Sequence, residues 1–142
     1  MARVVVRIDI DASVERVWQE LEALERHINW MSDAESIAFA SESTRGVGTV
    51  IEVETKVGPF RLLDVMEFTE WVPHSVMAVD HRGLVSGTGA FTLESTSAGT
   101  TMTWVEDLRF PWYLGGGVTA LAAKPVLSAI WRKNLRRFAA TV

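Results

Sequence analysis

Apolar and polar residues alternate along the start of the chain, from Arg3 to Asp11. A period of two is typical of a strand with one buried face, and that face would carry Val4, Val6, Ile8 and Ile10. Ser13 then offers a helix N-cap, and apolar residues follow at helical spacing as Val14, Val17, Trp18, Leu21 and Leu24. The pattern predicts a strand, a short amphipathic helix and a second helical turn over residues 27–31.

The middle of the chain shows apolar stretches separated by turn residues such as Gly58-Pro59 and Arg82-Gly83. Connections this short join antiparallel neighbours, because parallel strands need a longer crossover. The pattern therefore predicts a meander of six strands, over residues 36–40, 47–57, 60–71, 75–81, 85–94 and 100–110.

The spacing of apolar residues in the last part of the chain predicts one long helix. Its apolar face would carry Leu121, Leu127, Trp131, Leu135 and Phe138. Because Pro125 removes a helical hydrogen bond, we expect the helix either to bend near Leu121 or to begin close to Lys124. The glycines before it indicate a mobile gate from Gly115 to Pro125. Together the elements predict a single α+β domain over residues 1–142, made of an antiparallel sheet and a long C-terminal helix.

Composition narrows the possible functions. Hydrophobic residues make up 48% of the 142 residues and charged residues 23%, as in a globular domain. The absence of cysteine excludes a disulfide framework and a thiol nucleophile, so we expect a cytoplasmic protein. A net charge of −4 argues against a nucleic-acid partner. The longest apolar stretch contains Lys124 and Pro125, so no membrane-spanning helix is expected.

Common motifs for metals, phosphates and nucleophilic serines are missing, including HExxH, GxGxxG and GxSxG. We therefore expect no metal and no cofactor. A basic cluster ends the chain, and we interpret it as a solvated helix end whose cations favour the helix dipole: Arg132, Lys133, Arg136 and Arg137.

Several short markers in the sequence occur together in a fixed order. They are Ala12-Ser13, Val17-Trp18, Trp30, Gly46-Val47-Gly48, Pro73, Gly99-Thr100 and the closing WRKNLRRF. With these markers in this order, the chain resembles the polyketide cyclase/dehydrase branch of the START-like, Bet v 1-like superfamily over its whole length. The resemblance implies a helix-grip fold, in which a curved antiparallel sheet of seven strands grips the long C-terminal helix around an apolar cavity, and two short helices follow the first strand. It also implies an apolar ligand such as a lipid or an aromatic polyketide, but it carries no catalytic signature.

Strand parity assigns side chains to the interior. In the last strand Glu106 shares a face with Trp104 and Leu108, so it would be a carboxylate among aromatic residues. Asp64 shares a face with Met66, and His81 points inward if Met77 and Val79 do, although Val76 and Ala78 compete for that face. The ligand-binding residues predicted in this way are Trp30, Ile51, Val53, Met66, Phe91, Trp104, Leu108, Leu121 and Trp131.

A buried carboxylate needs a partner or a raised pKa. Glu106 is therefore the first candidate for an acid/base group or a ligand anchor, with Asp64 and His81 as possible partners. The alternative is that Glu106 is hydrated at the mouth of the cavity or pairs with an arginine. The two remaining histidines, His27 and His74, are expected at the surface.

Three functions remain open from the sequence. The first is a binding or carrier protein for a small hydrophobic molecule, which we prefer. The second is a cyclase or dehydratase that uses Glu106 with Asp64 or His81. The third is an interaction module that uses Trp71, Trp112, Leu63 and Val65 as a contact surface, and a homodimer fits all three.

Overall fold

Strands and helices follow one another in the predicted order in a computed structural model that describes residues 2–142. The strands are β1 (Ala2–Ile10), β2 (Ala34–Phe39), β3 (Val50–Val57), β4 (Phe60–Val72), β5 (Val76–Arg82), β6 (Ser86–Thr96) and β7 (Gly99–Arg109). The helices are α1 (Val14–Leu21), a first 3-10 helix (Leu24–Asn29), a second 3-10 helix (Trp112–Leu114) and α2 (Gly116–Thr141). Each predicted strand lies within three residues of its observed bounds.

All seven strands of the described chain form one antiparallel sheet in the order β1-β7-β6-β5-β4-β3-β2. The meander from β2 to β7 is confirmed, and β1 extends it by pairing with β7. In that pair Val4 lies opposite Glu106 and Val6 opposite Trp104, so the buried residues of both strands share the inner face. The predicted α+β fold, a curved sheet around a long C-terminal helix, is thus confirmed.

The helix α2 begins at Gly116, so the prediction of a start close to Lys124 is wrong, and Pro125 lies inside the helix. Its C-terminal half is held against the domain by Asn134, which is fully buried. The Asn134 side-chain oxygen accepts hydrogen bonds from the backbone N–H and the hydroxyl of Ser32, at 2.9 and 2.7 Å, and its Nδ2 donates to Asp33 at 2.8 Å. Movement of the segment from Gly115 to Pro125 stays a prediction.

Two aromatic residues lie elsewhere than predicted. Trp71 is not part of an exposed contact surface, because its ring packs edge-on against Trp18 at 5.7 Å and Phe68 at 5.3 Å. The cause is a β-bulge between Phe68 and Glu70, which shifts the register so that Trp71 lies opposite the buried Met77. His27 is buried as well, contrary to the prediction of a surface position.

A helix that crosses a membrane needs about 20 predominantly apolar residues. Within residues 2–142, none of the helices is long and apolar enough to cross one.

Candidate functional site

Aromatic rings occupy the space between the inner face of the sheet and α2. Trp104 of β7 lies at their centre, nearly parallel to Trp131 of α2 at 5.1 Å and tilted against Phe91 of β6 at 4.8 Å. Trp30 meets Trp104 edge-on at 6.3 Å and Phe138 at 5.0 Å. We call these five residues the aromatic cluster. Because its rings contact one another, a ligand in this space would have to separate them.

The remaining residues predicted to bind ligand divide into two groups. Ile51, Val53 and Leu108 are buried in the same core as the aromatic cluster, and Met66 is partly buried against it. Leu121 is different, because 73% of its surface is exposed, so the prediction that it faces the interior is wrong. It precedes Trp131 by ten residues, which at about 3.6 residues per turn rotates it roughly 80° away from that ring.

The three predicted polar residues form one hydrogen-bonded chain, which we call the polar network. The imidazole of His81 lies between two carboxylates, with Nδ1 at 3.0 Å from Asp64 Oδ2 and Nε2 at 2.7 Å from Glu106 Oε2. Glu106 Oε1 accepts a further hydrogen bond from Trp104 Nε1 at 2.8 Å. The side chain of Asp64 is 25% exposed, whereas those of His81 and Glu106 are each 7% exposed. The network therefore leads from solvent to the aromatic cluster.

Glycine in β6 makes this network possible. His81 belongs to β5 and Glu106 to β7, so β6 lies between them, and adjacent strands are about 4.8 Å apart. On β6, Gly87 lies opposite His81 and Gly89 lies opposite Glu106. A methyl group at Gly89 would run into the Glu106 carboxylate, whose Oε2 would be 2.6 Å from it. The two side chains thus meet above positions that have no side chain.

The charge of the polar network follows from the surroundings of His81. Burial alone would lower the pKa of this residue, but its hydrogen bonds to Asp64 and Glu106 outweigh that effect and raise the pKa from 6.5 to about 10. At neutral pH His81 is therefore an imidazolium that donates one N–H to each carboxylate. Glu106 is neither hydrated at an open mouth nor paired with an arginine.

Two features of the interior were not predicted from the sequence. His27 Nε2 donates to the backbone carbonyl of Leu21 at 2.6 Å, and burial lowers the pKa of this histidine from 6.5 to about 4. Its ring lies 4.9 Å from that of Trp30, whose Nε1 is buried with no hydrogen-bond partner among the described residues. The spacing of a short 3-10 helix carries too weak a periodic signal to reveal either residue's environment.

Clefts are present on the outside of the domain. One, of about 450 Å³, lies beside α1 and is lined by charged residues including Arg16, Glu25 and Arg45. A second, of about 230 Å³, lies between the start of β1 and α2 and is lined by Ala2, Arg3, Gly117, Leu121 and Lys124. Neither is lined by the aromatic cluster.

A metal ion was considered for the polar network, since His and carboxylate side chains are common ligands. Within residues 2–142 no three such side chains are arranged to hold one. The reason lies in the geometry, because both ring nitrogens of His81 face a carboxylate and the three groups form a line.

Comparison with known proteins gives a family match and a set of similar structures. The family model described as "Polyketide cyclase / dehydrase and lipid transport" matches residues 1–142. The structure of TTHA0849 from Thermus thermophilus aligns with a TM-score of 0.84 and 16% identity, covering 97% of this chain and 94% of that one. No curated protein sequence is significantly similar.

Two structures with aromatase/cyclase names are similar as well. The Zhui aromatase/cyclase from Streptomyces aligns with a TM-score of 0.72 and 17% identity, covering 98% of this chain and 92% of that one. The di-domain ARO/CYC StfQ of the steffimycin biosynthetic pathway aligns with a TM-score of 0.75 and 15% identity, covering 98% of this chain and 49% of that one. At these identities the likeness shows the fold.

Proposed function

Because the chain belongs to the polyketide cyclase/dehydrase and lipid transport family, we propose that it binds a small, largely apolar molecule between the sheet and α2. The observation that carries this proposal is the unpaired indole N–H of Trp30 inside the aromatic cluster. A buried donor without a partner costs about 1–3 kcal/mol. A ligand with a carbonyl oxygen would recover that cost, while its apolar body would pack against the rings of Trp104 and Trp131.

Entry of a ligand requires the aromatic rings to separate. The segment from Gly115 to Pro125 is the proposed gate, because Gly115 and Gly116 adopt positive φ angles of 95° and 48° before the exposed first turns of α2. Asp64, at the solvent end of the polar network, would then lie at the entrance, and Glu106 would lie beside the bound molecule.

The test uses two bicyclic probes that differ by one oxygen, the ketone tetralone and the hydrocarbon tetralin. The Trp30→Phe variant keeps the ring and removes the N–H donor. We expect it to weaken tetralone binding about tenfold, the equivalent of about 1.4 kcal/mol, and to leave tetralin binding unchanged. Binding is measured by isothermal titration calorimetry and by the rise in melting temperature.

The matched control is Trp112→Phe, because this tryptophan is exposed and outside the aromatic cluster. It should bind both probes as the wild type does. The proposal would be wrong if neither probe bound the wild type, or if Trp30→Phe weakened tetralin and tetralone equally.

A second candidate function is acid/base catalysis, which the position of His81 between Asp64 and Glu106 favours. A carboxylate could take the proton next to a ketone, while the imidazolium gives a proton to a β-hydroxyl group. Water then leaves and a carbon–carbon double bond forms. The imidazolium is restored when the proton returns from the carboxylate, so the dehydration needs no metal and no covalent intermediate.

This second candidate is tested with the Glu106→Gln variant and a bicyclic β-hydroxy ketone, whose loss of water is followed by mass spectrometry. Turnover should fall at least about a hundredfold, as is usual when a general acid or base is removed. The matched control is Asp107→Asn, since that carboxylate follows Glu106 but points to the outer face of the sheet, 3.7 Å from Arg3. Equal turnover by wild type and Glu106→Gln, or none by the wild type, would exclude this role.

A further inference from the structure

Charge is distributed unevenly along the chain. Residues 108–142 contain Arg109, Lys124, Arg132, Lys133, Arg136 and Arg137, and no acidic residue. The residues before them contain all 18 acidic side chains and only eight of the 14 basic ones. The segment that forms α2 is therefore cationic on a protein whose net charge is −4.

The cations before residue 108 and those after it also differ in their ion-pair partners. On the sheet, Arg61 pairs with Glu35 at 3.5 Å and Arg82 with Glu67 at 2.7 Å. Within the described residues, none of the six cations after Asp107 is in an ion pair. Arg137 donates to the backbone carbonyl of Asn29 at 2.9 Å. The positive charge of α2 is thus available to an external anionic partner.

Exposed apolar side chains belong to the same segment, mainly at the N-terminal end of α2. Trp112 and Tyr113 form an edge-to-face pair at 5.8 Å just before α2, and Trp112 is 87% exposed. Val118 and Leu121 are 78% and 73% exposed in the first turns of the helix, and Val126 is exposed as well. Isolated apolar residues are ordinary on a surface, but a row of several exposed ones along one side of a helix indicates a contact site.

The apolar row and the cations share one side of α2. Arg132 follows Leu121 by eleven residues and Arg136 follows Val118 by eighteen, which are about three and five whole turns. Arg132, Lys133 and Arg136 are exposed, whereas the neighbouring Trp131, Asn134 and Leu135 are buried. We call the exposed side of the helix, together with Trp112 and Tyr113, the α2 face.

We propose that the α2 face docks on the surface of an anionic lipid bilayer. Apolar and aromatic side chains along a helix that also carries lysine and arginine match a helix lying in the plane of a membrane interface. Tryptophan and tyrosine favour the level of the lipid headgroups, and each nearby cation attracts anionic lipids. The helix does not cross the bilayer in this arrangement.

Other partners fit this face less well. Two copies of the chain that met through their α2 faces would join two surfaces that both carry cations, and residues 108–142 contain no acidic residue to pair with them. A nucleic acid would neutralise the cations but would leave Val118, Leu121 and Val126 exposed to water. An anionic bilayer offers negative charge to the cations and an apolar environment to the exposed apolar side chains. The inference does not depend on the proposed ligand, because it concerns the outer side of α2.

The experiment measures binding of the full chain to vesicles by flotation, without any added ligand. One set of vesicles contains only phosphatidylcholine, and the other contains phosphatidylcholine with phosphatidylglycerol. We expect binding to the anionic vesicles alone and its loss at high salt. The Arg132→Gln/Arg136→Gln variant should bind them less, roughly fivefold for each cation removed. The Trp112→Ser/Leu121→Ser variant should also bind less tightly.

Matched controls are Arg61→Gln and Val47→Ser, which change exposed residues of the same types away from α2. Both should bind vesicles as the wild type does. The proposal is overturned if anionic vesicles do not bind the protein or if the controls lose binding to the same degree. It is also overturned if Leu121→Ser converts a dimer into a monomer, as measured by sedimentation.

Discussion

Two histidines are buried in this protein, and their surroundings shift their pKa values in opposite directions. Burial raises the cost of a charge on His27, whereas two carboxylates stabilise the charge on His81. A change in pH therefore alters the contribution of each histidine to the free energy of unfolding in the opposite direction. The stabilisation from charged His81 is complete below pH 6.5 and is lost as the pH rises towards about 10. The stabilisation from neutral His27 is present above pH 6.5.

His27 gives a prediction for acid stability. Because its pKa is lowered to about 4, the free energy of unfolding should fall by about 3 kcal/mol between pH 6.5 and 4 on account of this group. Urea unfolding of the wild type and of His27→Gln is measured across this range. The His27→Gln variant should lack this fall in the free energy of unfolding. The control, His74→Asn at the exposed histidine, should show it as the wild type does. Parallel curves for wild type and His27→Gln would contradict the assignment.

Parity in β7 was enough to predict from the sequence that Glu106 points inward, because the alternation of its neighbours is unambiguous. The partners of Glu106 were named only as candidates. Their contact depends on distances across four strands, from β4 to β7, which no local pattern encodes. The unpaired Trp30 donor depends on packing and could not be predicted at all.

Elements of secondary structure were predicted well where their period is regular. Two errors have different causes. The bulge in β4 reverses the face of Trp71, and a pattern that assumes an ideal strand does not contain this bulge. Leu121 is exposed because an ideal helix already places it about 80° from Trp131, so the two residues do not share one face.

Strand β6 is the element on which the polar network depends. The Gly89→Ala variant should displace the Glu106 carboxylate from His81, because the new methyl group would occupy its place. We expect a loss of about 1–3 kcal/mol in the free energy of unfolding, and a pKa of His81 closer to 6.5 in an NMR titration. The control is Gly117→Ala, where a methyl group meets open space. An unchanged His81 titration in Gly89→Ala would refute this account of β6.

At the scale of the whole molecule, the sheet and α2 form two distinct surfaces. The inner surface holds the aromatic cluster and the polar network, and the outer side of α2 combines cations with exposed apolar residues. The sequence predicted the fold and most of the interior. It did not predict that the rings close on one another, because ring packing depends on side-chain rotamers.

The central claim is that a small apolar molecule enters the aromatic cluster. It is tested most directly by the NMR signals of the six tryptophan indole N–H groups, assigned with single Trp→Phe variants, during a titration with tetralone. The account predicts that the signals of Trp30, Trp104 and Trp131 shift saturably, while that of Trp112 stays in place. Shifts confined to Trp112, or none at any tryptophan, would contradict it.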